Sequence, residues 1–537
     1  MTIGEKITHL RNAQNMSQES LAERLGVSRQ SVSKWEMDQV QPQLDKILRM
    51  CDVFSVSLDA MLREQVVVNR DKEKRNKYFG TDGFRGEANL TLTSTQAYKV
   101  GRFLGWYYSS ELSGNHAAGY RPRIVIGKDT RRSSYMLEYS IVAGITASGA
   151  DAYMLHVTTT PSISYVTRTE EFDCGIMITA SHNPYYDNGI KIINRFGEKL
   201  DDELTYYIES YIDGDLSCLG LSDGDLPLAK REKIGAIIDY ASGRNRYVGY
   251  LISLASHSFK NLRIGLDSAN GASWMIAKAV FDALGAQTTV IGAEPNGFNI
   301  NEGCGSTHPE ALARLVREKH LDLGFAFDGD ADRCIAVDEN GNVVDGDAIM
   351  YILARRLKER GMLNFNTLVS TVMSNSGLAA ALDKIGIRTV QTTVGDRFVY
   401  ERMQQCDYSL GGEQSGHIII RKYATTGDGI LTAIMVCEEL AERKTSLCAL
   451  AEPVKLFPQR MTSIRVKDKR AAMNDSGVKA AVTWAEREIN GNGRVLLRES
   501  GTEPVVRIMI ESESVELCDA LSARILEAVR AGGHACE

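Results

Sequence analysis

Three aspartates alternate directly after an apolar run in the middle of the chain, at Asp328, Asp330 and Asp332. Carboxylates at i, i+2 and i+4 can converge on one hard cation, and oxygen ligands suit Mg²⁺. A calcium-binding EF-hand loop is the alternative, because Glu339 would be its twelfth residue. Arg333 then stands where that loop needs glycine, and a strand follows instead of a helix. We therefore predict a magnesium site with open positions for a phosphate oxygen.

A serine at the end of another apolar run could carry a phosphoryl group. Ser181 follows the strand-like CGIMITA and lies in TASHNPYYDNGIK, a loop closed by Asn183 and Pro184. A serine in that position can act as a covalent nucleophile. The alternative for this segment alone is a serine that caps a turn.

Two glycine-bearing loops further along carry side chains suited to a phosphorylated sugar. In GGEQSGH (411–417) the backbone can approach a ligand, and Glu413, Ser415 and His417 could hydrogen-bond hydroxyls or an amine; a polar turn is the alternative. RESGTEPVVR combines cationic forks, hydroxyls and a glycine turn, which is typical of a phosphate-binding loop. The residues expected to hold the phosphate are Arg498, Ser500, Gly501, Thr502 and Arg507.

Together the four segments predict more than any of them alone. A nucleophilic serine, a carboxylate metal site, a hydroxyl-reading loop and a phosphate clamp are the parts that phosphoryl transfer on a phosphosugar requires. Because they are widely separated along the chain, we expect one on each of four successive domains, with a cleft between the domains.

Alternating strand-like and helical stretches from Tyr78 onward must position these motifs. Apolar runs such as RIVIG (123–127) and TLVSTVM (367–373) alternate with helical stretches. This alternation predicts largely parallel sheets with sites at the carboxyl ends of the strands. The end of the chain differs, because three strand-like runs and helices at 477–489 and 514–531 indicate an α+β domain.

The expected fold is multi-domain: an all-α helix-turn-helix domain followed by a four-domain body, with three α/β domains and a C-terminal α+β domain. The expected boundaries are 1–66 for the helix-turn-helix domain, 67–77 for a polar linker, 78–236 for α/β domain I with the serine loop, 237–340 for α/β domain II with the metal loop, 341–452 for α/β domain III with the sugar loop and 453–537 for α+β domain IV with the phosphate loop.

The first 65 residues have the apolar spacing of five short helices. Ser17 and Ser28 are expected to be the N-caps of two consecutive helices, and Gly26 ends the first of them. The tight turn between the two helices is typical of a helix-turn-helix. Val32 and Trp35 are expected to face inward.

The second helix of this pair carries polar side chains that could reach base edges or phosphates. Gln18 opens the preceding helix, where its amide and the helix N-terminus could meet a phosphate. Residues 1–65 hold eight basic and nine acidic residues, which weakens attraction to DNA and keeps a protein-binding helical bundle as an alternative.

This stretch nevertheless resembles the repressor-like, XRE-type helix-turn-helix family, in LRNAQNMSQESLAERLGVSRQSVSKWE and in FSVSLDAML. The resemblance implies a domain that binds operator DNA. The residues expected to contact DNA are Gln18, Ser28, Arg29, Gln30, Ser31, Ser33 and Lys34.

Composition places the protein among ordinary globular chains. Of 537 residues, 62 are Lys or Arg and 69 are Asp or Glu, so the net charge is −7 and a non-specific nucleic-acid coat is excluded. No apolar run approaches the ~20 residues that cross a bilayer, and the first residues lack a signal-peptide pattern. We expect a cytoplasmic protein with no membrane partner. The ten cysteines form no C-x-x-C pair, which argues against a zinc ribbon or a disulfide framework.

Residues 78–535 resemble the α-D-phosphohexomutase superfamily, in TASHNP, DGDADR, the GGE-x-SGH loop and the SGTEP loop. YFGTDGFRG, GKDTRRSSYMLE, PNGFNINEGCGSTHPE and TVGDRFVYERM, with Gln414, narrow the resemblance to the branch that acts on glucosamine phosphates. One departure is Ala331, where the superfamily commonly has glycine. We expect the added methyl group to be tolerated.

The resemblance implies an activity and a role for each motif. Ser181 would carry a phosphoryl group, and one Mg²⁺ per subunit would be bound by that phosphate and by the three aspartates. The phosphoserine would interconvert glucosamine 6-phosphate and glucosamine 1-phosphate through glucosamine 1,6-bisphosphate, for UDP-N-acetylglucosamine and cell-wall precursor synthesis. Arg85 and Arg333 would neutralise charge near the metal. Lys191 and His182 would transfer protons to and from the sugar hydroxyl. Arg397 would line the site.

Three interpretations remain open at this point. The first is an active enzyme with an appended DNA-binding domain, and the second is a transcriptional regulator whose body only senses sugar phosphate. The third is an enzyme for mannose or glucose phosphates, which Gln414 argues against by resemblance. Ser181, the three aspartates and Lys191 favour an active enzyme, because a sensor would not need them. Helix-turn-helix proteins usually bind DNA as dimers, so a homodimer would fit.

Overall fold

The computed structural model describes most of the chain. The described residues are Gly4, Ile7, Thr8, Leu10, Arg11, 16–37, Val40, 42–54, 77–80, 82–110, 120–219, 225–490, 493–499 and 505–536. The chain divides into two compact units, Met1–Lys77 and Tyr78–Glu537. Over the described ranges, no helix is both long and apolar enough to span a membrane.

The helices described in the first unit form a helix-turn-helix. They are α1 (Gln18–Leu25), α2 (Arg29–Glu36) and α3 (Leu44–Phe54). Gly26 has a φ of +65° in the turn after α1, where a side chain would be strained. The expected helix near 58–62 and the expected linker up to 76 lie outside the described residues.

The cap and the core of this unit confirm the sequence pattern. Ser28 Oγ accepts a hydrogen bond from the Ser31 amide at 3.2 Å and so caps α2. Val32 and Trp35 are buried, together with Leu21, in a small apolar core. The opposite face of α2 is left to solvent.

The first sheet of the body holds the serine loop. Within the described residues it has seven strands in the order β1-β2-β6-β5-β3-β4-β7. Neighbours from β5 through β3 and β4 to β7 are parallel, whereas β1, β2 and β6 pair antiparallel. The elements are β1 (Phe79–Gly80), β2 (Gly83–Glu87), α4 (Ser94–Ser109), β3 (Arg123–Lys128), α5 (Arg132–Ala147), β4 (Asp151–Val157), α6 (Thr160–Thr169), β5 (Cys174–Ile178), β6 (Asp187–Asn194), α7 (Asp202–Ile212) and β7 (Ile237–Asp239).

The second sheet has the described strand order β12-β11-β10-β8-β9. It holds the DGDADR turn (328–333), which we call the metal loop after its expected role. Its turn at 328–333 joins two antiparallel strands, so the strand that argued against an EF-hand is confirmed. The elements are α8 (Ala241–Ser253), β8 (Arg263–Asp267), α9 (Ile276–Ala283), β9 (Gln287–Ile291), α10 (Glu310–Lys319), β10 (Leu323–Phe327), β11 (Cys334–Asp338) and β12 (Val343–Val344).

Both expected limits of this second domain differ from the sheets. The expected start at 237 falls on β7, which the chain adds to the first sheet beside β4 before it continues into α8. The expected end at 340 precedes β12, which pairs with β11 and belongs to the second sheet. Short edge strands carry too little apolar periodicity to mark a boundary.

The third sheet has the described strand order β14-β13-β15-β16. It carries the GGEQSGH segment (411–417), which we call the sugar loop after its expected role. One continuous core joins it to the second sheet, from Phe281 and Phe325 to Leu368 and Ile434. The elements are α11 (Gly346–Glu359), β13 (Thr367–Thr371), α12 (Ser376–Lys384), β14 (Arg388–Thr392), α13 (Asp396–Gln405), β15 (Leu410–Gly412), β16 (Ile418–Ile420), α14 (Gly429–Arg443) and α15 (Leu447–Ala451).

The last domain is built on an antiparallel sheet, with the described strand order β17-β19-β18. Its elements are β17 (Gln459–Arg465), α16 (Lys469–Asn474), α17 (Ser476–Ile489), β18 (Arg494–Glu499), β19 (Val505–Glu511) and α18 (Val515–Ala531). Three α/β domains followed by an α+β domain are therefore confirmed.

Candidate active site

Ser181 faces the metal loop of the neighbouring domain. It lies in the turn after β5, with 1% of its surface exposed and a φ of +52°, a left-handed conformation that is uncommon for a residue with a side chain. Ser181 Oγ donates a hydrogen bond to Asp328 Oδ2 at 2.5 Å. The serine and the first aspartate of the two motifs are thus in direct contact.

Two side chains that the sequence reasoning missed hold the serine loop from behind. Arg131 donates to the carbonyl oxygens of Ser181 at 3.1 Å and Asn183 at 2.6 Å. Asn301 donates to the same two oxygens at 2.9 and 3.1 Å. Arg131 is completely buried and paired with Asp129. One signal was available: GKDTRRSS follows β3, which lies parallel to β5, so both loops meet at one edge of the sheet.

The three aspartates converge as predicted from their spacing. Asp328, Asp330 and Asp332 are buried, and each offers an oxygen within 4.8 Å of the others. Lys191 Nζ donates to Asp330 at 2.7 Å and to Asp332 at 3.0 Å. Oδ1 of Asp330 and Oδ1 of Asp332 have no hydrogen-bond partner among the described residues. A buried set of three carboxylates with two unsatisfied oxygens fits a divalent cation.

The backbone of this turn explains two of its residues. An added Cβ at Gly329 would lie 2.5 Å from the Ser181 carbonyl oxygen, so only glycine allows the two loops to approach this closely. Ala331 has a φ of +56° and is fully buried. That left-handed conformation favours glycine, which explains the glycine expected at this position, whereas the methyl group of Ala331 is accommodated here.

Burial and charge shift the protonation of this cluster. Burial raises the pKa of Asp328 well above its ordinary value, and the charges of Asp332 and Asp330 add to the increase. Burial alone would lower the pKa of Lys191, but Asp330 and Asp332 raise it instead. Lys191 is therefore a cation in this arrangement. The carboxylates of Asp330 and Asp332 favour a positive charge beside them.

A histidine lies beside the serine oxygen, and two arginines contact its neighbours. His182 Nδ1 lies 3.3 Å from Ser181 Oγ, and burial, together with the charges of Arg333 and Arg85, lowers the pKa of His182 to about 4. Arg333 Nε lies 4.0 Å from a carboxylate oxygen of Asp328. A neutral imidazole thus lies beside the serine oxygen, and the Arg333 guanidinium lies near the carboxylate that accepts its hydrogen bond.

The GGEQSGH loop is fixed by neighbouring backbone. Glu413 accepts a hydrogen bond from the Gly395 amide at 3.0 Å, and Gln414 donates to Asp345 at 3.1 Å. Ser415 Oγ is buried without a hydrogen-bond partner among the described residues. His417 is buried, and its Nε2 accepts from the Gly427 amide at 3.0 Å.

Arg397 lies in the first turn of α13 and makes two ion pairs. It donates to Asp202 at 2.5 Å and to Glu401 at 2.7 Å. It lines a cavity of about 240 Å³ between the end of β6 and α13, which reaches inward to Lys191 and Asp332. The expectation from TVGDRF that Arg397 lines the substrate site stays a prediction. In this structure its guanidinium group also joins the first and third domains through Asp202.

Two arginines of the last domain lie side by side. Arg498 on β18 and Arg507 on β19 are directly paired in the antiparallel register. Burial and the charge of Arg507 lower the pKa of Arg498 below its ordinary value. Adjacent guanidinium groups that disfavour each other suit an anion between them. Ser500, Gly501 and Thr502, expected in the same phosphate loop, lie outside the described residues.

The polar face of α2 is open in the helix-turn-helix unit. Arg29, Gln30 and Lys34 are exposed, and Ser31 and Ser33 are partly exposed. Gln18 instead donates to Glu36 at 2.7 Å, so its amide is engaged within the unit. A phosphate contact by the Gln18 side chain would require that hydrogen bond to break.

Models of known families match the whole succession of domains. A helix-turn-helix family matches residues 7–61. The phosphoglucomutase/phosphomannomutase alpha/beta/alpha domains I, II and III match residues 76–217, 245–341 and 345–457, and the C-terminal domain of the same enzymes matches residues 461–528.

Solved structures with the same fold cover most of the chain. A phosphoglucomutase/phosphomannomutase family protein from Burkholderia thailandensis is 22% identical, with a TM-score of 0.68, over 85% of this chain and 97% of that one. An Aspergillus fumigatus N-acetylphosphoglucosamine mutase, solved with GlcNAc-6P and magnesium, is 18% identical, with a TM-score of 0.60, over 85% and 96%. Fold, strand-end serine and buried aspartates thus define the class: the body has the architecture of a phosphohexomutase.

Closer relatives settle the family. The phosphoglucosamine mutase of Lachnospira eligens is 58% identical over 459 residues, 86% of this chain and 99% of that protein. The phosphoglucosamine mutase of Bacillus subtilis is 47% identical, over 84% of this chain and 98% of that protein. The chain belongs to the phosphoglucosamine mutase family, which consists of intramolecular phosphotransferases, and carries an N-terminal helix-turn-helix domain in addition.

Proposed function

We propose that this chain interconverts glucosamine 6-phosphate and glucosamine 1-phosphate in the cytoplasm, with phosphorylated Ser181 as donor and acceptor. The observation that carries the proposal is the contact of Ser181 Oγ with Asp328 inside a buried carboxylate cluster. It occurs in a chain whose relatives are named for this activity.

The reaction requires two transfers in opposite directions. In the first, the bond between phosphorus and Ser181 Oγ breaks and a bond to the free sugar hydroxyl oxygen forms, which gives glucosamine 1,6-bisphosphate. In the second, the other phosphate of that intermediate returns to Ser181 after the sugar has turned over. In the first transfer the sugar hydroxyl loses its proton and the freed Ser181 Oγ takes one up. In the second transfer the Ser181 hydroxyl loses its proton and the sugar oxygen that is freed gains one.

The chain's own residues would position and neutralise these groups. Lys191 and His182 are the candidates for proton transfer: His182 is unprotonated at ordinary pH and lies 3.3 Å from the serine oxygen, although its low pKa makes it a weak base, and Lys191 is an ammonium group that could donate. Positive charge comes from Lys191, Arg85 and Arg333. Phosphoryl transfer depends mainly on positioning and on this neutralisation of phosphate charge. Arg498 and Arg507 would hold the non-reacting phosphate in either orientation, with Glu413, Ser415 and His417 toward the sugar.

Asp328, Asp330 and Asp332 would hold one Mg²⁺ per chain. When bound, that ion neutralises phosphate charge beside the serine. The three buried carboxylates and their two unsatisfied oxygens support this assignment over a purely structural cluster.

Turnover of the purified full chain with Mg²⁺ tests the activity. Glucosamine 6-phosphate, mannose 6-phosphate and glucose 1-phosphate should be compared, with the phosphoryl group on Ser181 confirmed by intact mass. We expect turnover with preference for glucosamine 6-phosphate, abolished by Ser181→Ala and unchanged by Ser140→Ala on α5. Phosphorylated protein that turns over none of the three sugars would instead support a sugar-phosphate sensor.

We infer a second function for the N-terminal unit, namely binding of operator DNA by a homodimer. It is supported by the family match over residues 7–61 and by the exposed side chains of α2. Selection from random duplexes with the full chain should enrich one two-fold symmetric sequence. Binding should weaken steeply with salt and be lost in an Arg29→Ala, Gln30→Ala variant, whereas Glu318→Gln on α10 should bind normally. Absence of enrichment would favour a protein-binding role.

A further inference from the structure

We propose that Lys199 is a positioning residue for this reaction, which ties the turn before β2, where Asp82 pairs with Arg85, to the loop that opens α13. Lys199 lies between β6 and α7, in a segment to which the motifs of the site assign no role. The proposal rests on the phosphoryl-transfer function above, because its consequence is the placement of Arg85 beside the Ser181 loop.

The Lys199 ammonium group bridges two carboxylates from different domains. Its Nζ lies 2.6 Å from Asp396 Oδ1 in the third domain and 3.2 Å from Asp82 Oδ1 in the first. The side chain is 31% exposed and lies at the cavity shared by β6 and α13. Without this cation the repulsion between the two carboxylates would be offset less, because Asp82 would keep Arg85 but Asp396 would lose the ammonium group that the two now share.

The contact extends from Asp82 to the serine loop. Asp82 Oδ2 accepts a hydrogen bond from Arg85 Nη2 at 3.1 Å. Arg85 Nη1 in turn donates to Asn183 Oδ1 at 3.4 Å, two residues after Ser181. Lys199 therefore fixes the carboxylate that orients the arginine next to the nucleophile.

The contact also extends from Asp396 to the sugar loop. Asp396 Oδ2 lies 3.4 Å from His417 Nε2, and His417 Nδ1 lies 3.6 Å from Asp332 Oδ1. Lys199 thus lies between the carboxylate that orients Arg85 and a carboxylate that lies against His417 of the sugar loop.

Other contacts keep the two domains together without Lys199. Glu198 accepts hydrogen bonds from Tyr400 at 2.9 Å and Gln404 at 2.6 Å, and Arg397 pairs with Asp202. Removal of the Lys199 charge should consequently disturb the orientation of Asp82 and Asp396 while the domains stay docked.

Kinetics of Lys199→Met, Lys199→Arg and the exposed control Lys319→Met test the proposal in the full chain. We expect Lys199→Met to lower kcat by roughly tenfold to a hundredfold with KM for glucosamine 6-phosphate within about threefold, as misplaced groups do. Lys199→Arg should restore most of kcat, and Lys319→Met should match the wild type. The loss from Arg85→Met should be smaller in the Lys199→Met background than in the wild type.

Equal kcat for Lys199→Met and Lys319→Met would overturn the proposal. It would also be overturned if the fold-loss in kcat of the double variant equalled the product of the fold-losses of Lys199→Met and Arg85→Met. A second measurement does not need turnover. Thermal melting of Lys199→Met, Asp82→Asn and the double variant should show that the second substitution adds little to the first. Additive shifts would overturn the bridge even if the wild type proved inactive, whereas an inactive wild type with non-additive shifts would overturn only the proposed function.

Discussion

At the scale of residues, cations hold the reactive oxygens of this site in place. Lys191 lies against two of three converging aspartates, and Arg131 grips the carbonyl groups of the serine loop. Both are buried, so their charges act at low local dielectric, where each unpaired partner would be costly. The carboxylates are thereby held together before any ion neutralises them.

Metal binding by the aspartates gives the first prediction. Mg²⁺ should raise the melting temperature of the wild type, and chelation should abolish turnover, because the carboxylates repel one another without it. Asp330→Asn keeps the shape but removes one charge, so it should lose the Mg²⁺-dependent rise and roughly a hundredfold or more in kcat. Asp383→Asn, an exposed change on α12, should retain both. An unchanged Mg²⁺-dependent rise in Asp330→Asn would exclude this cluster as the metal site.

Asn301 gives the second prediction. Asn301→Ala removes one donor from each of two carbonyl groups that hold Ser181 in its left-handed conformation. We expect a loss of about 1–3 kcal/mol in the free energy of unfolding and a fall in kcat of about tenfold or more. Denaturant unfolding and steady-state kinetics measure the two, with Asn245→Ala on α8 as the control. A variant with full kcat would show that Arg131 alone suffices to hold the loop.

At the scale of elements, the sequence predicted what is local and missed what depends on neighbouring strand ends. The aspartate turn, the serine loop and the cap of α2 follow from spacing within a few residues. Arg131 and Asn301 were missed because their role appears only once β3 and β5 end at one edge and the second domain packs there. The motif around Arg397 predicted a place at the substrate site but could not predict its ion pair with Asp202, which is remote in sequence.

The first turn of α11 gives the third prediction, on pH. Asp347 is buried and accepts a hydrogen bond from the Asn375 amide at 2.7 Å. Burial, with the charge of Asp345, raises the pKa of Asp347 to about 7, above the unfolded value of about 3.9. The folded state therefore binds the proton more tightly. The tighter proton binding stabilises the folded state fully below about pH 4. That stabilisation is lost as pH rises through about 7, and the loss in the free energy of unfolding reaches about 4 kcal/mol.

The variant Asp347→Asn isolates the effect of the Asp347 proton. Its side-chain amide oxygen can still accept the hydrogen bond from the Asn375 backbone amide, but the side chain no longer titrates. The melting temperature of the variant should fall less than that of the wild type between about pH 5 and pH 8. Glu318→Gln, which is exposed, should follow the wild type. Parallel curves for wild type and Asp347→Asn would mean that the raised pKa is not coupled to folding.

The N-cap of α2 gives the fourth prediction. Ser28→Ala removes the acceptor for the Ser31 amide and should cost the helix-turn-helix about 1 kcal/mol. Ser28→Asp keeps an acceptor at the cap and should cost little. Hydrogen exchange of the α2 amides in the full chain measures both, with faster exchange expected only in the alanine variant. Equal exchange in the two variants would show that the cap contributes nothing to α2.

At the scale of the whole molecule, the second and third domains share one hydrophobic core while the last domain has its own. A shared core implies cooperative opening, because neither sheet can expose its face without the other. The fifth prediction is that amides of β10 and β13 exchange with deuterium at one common slow rate, distinct from that of β19. Mass spectrometry of peptides from the full chain tests this, and separate rates for β10 and β13 would refute a common unit.

The buried position of Ser181 also bears on how often the protein must be phosphorylated. With 1% of its surface exposed, the serine is shielded from bulk water, whereas a sugar held in the cleft would present its hydroxyl to a phosphoryl group carried there. A phosphoryl group on this oxygen should outlast many encounters with substrate, since each completed cycle restores it. One phosphorylation would then serve a chain for a long working life, and the supply of phosphoryl donor would limit how many copies become active rather than how fast each one works.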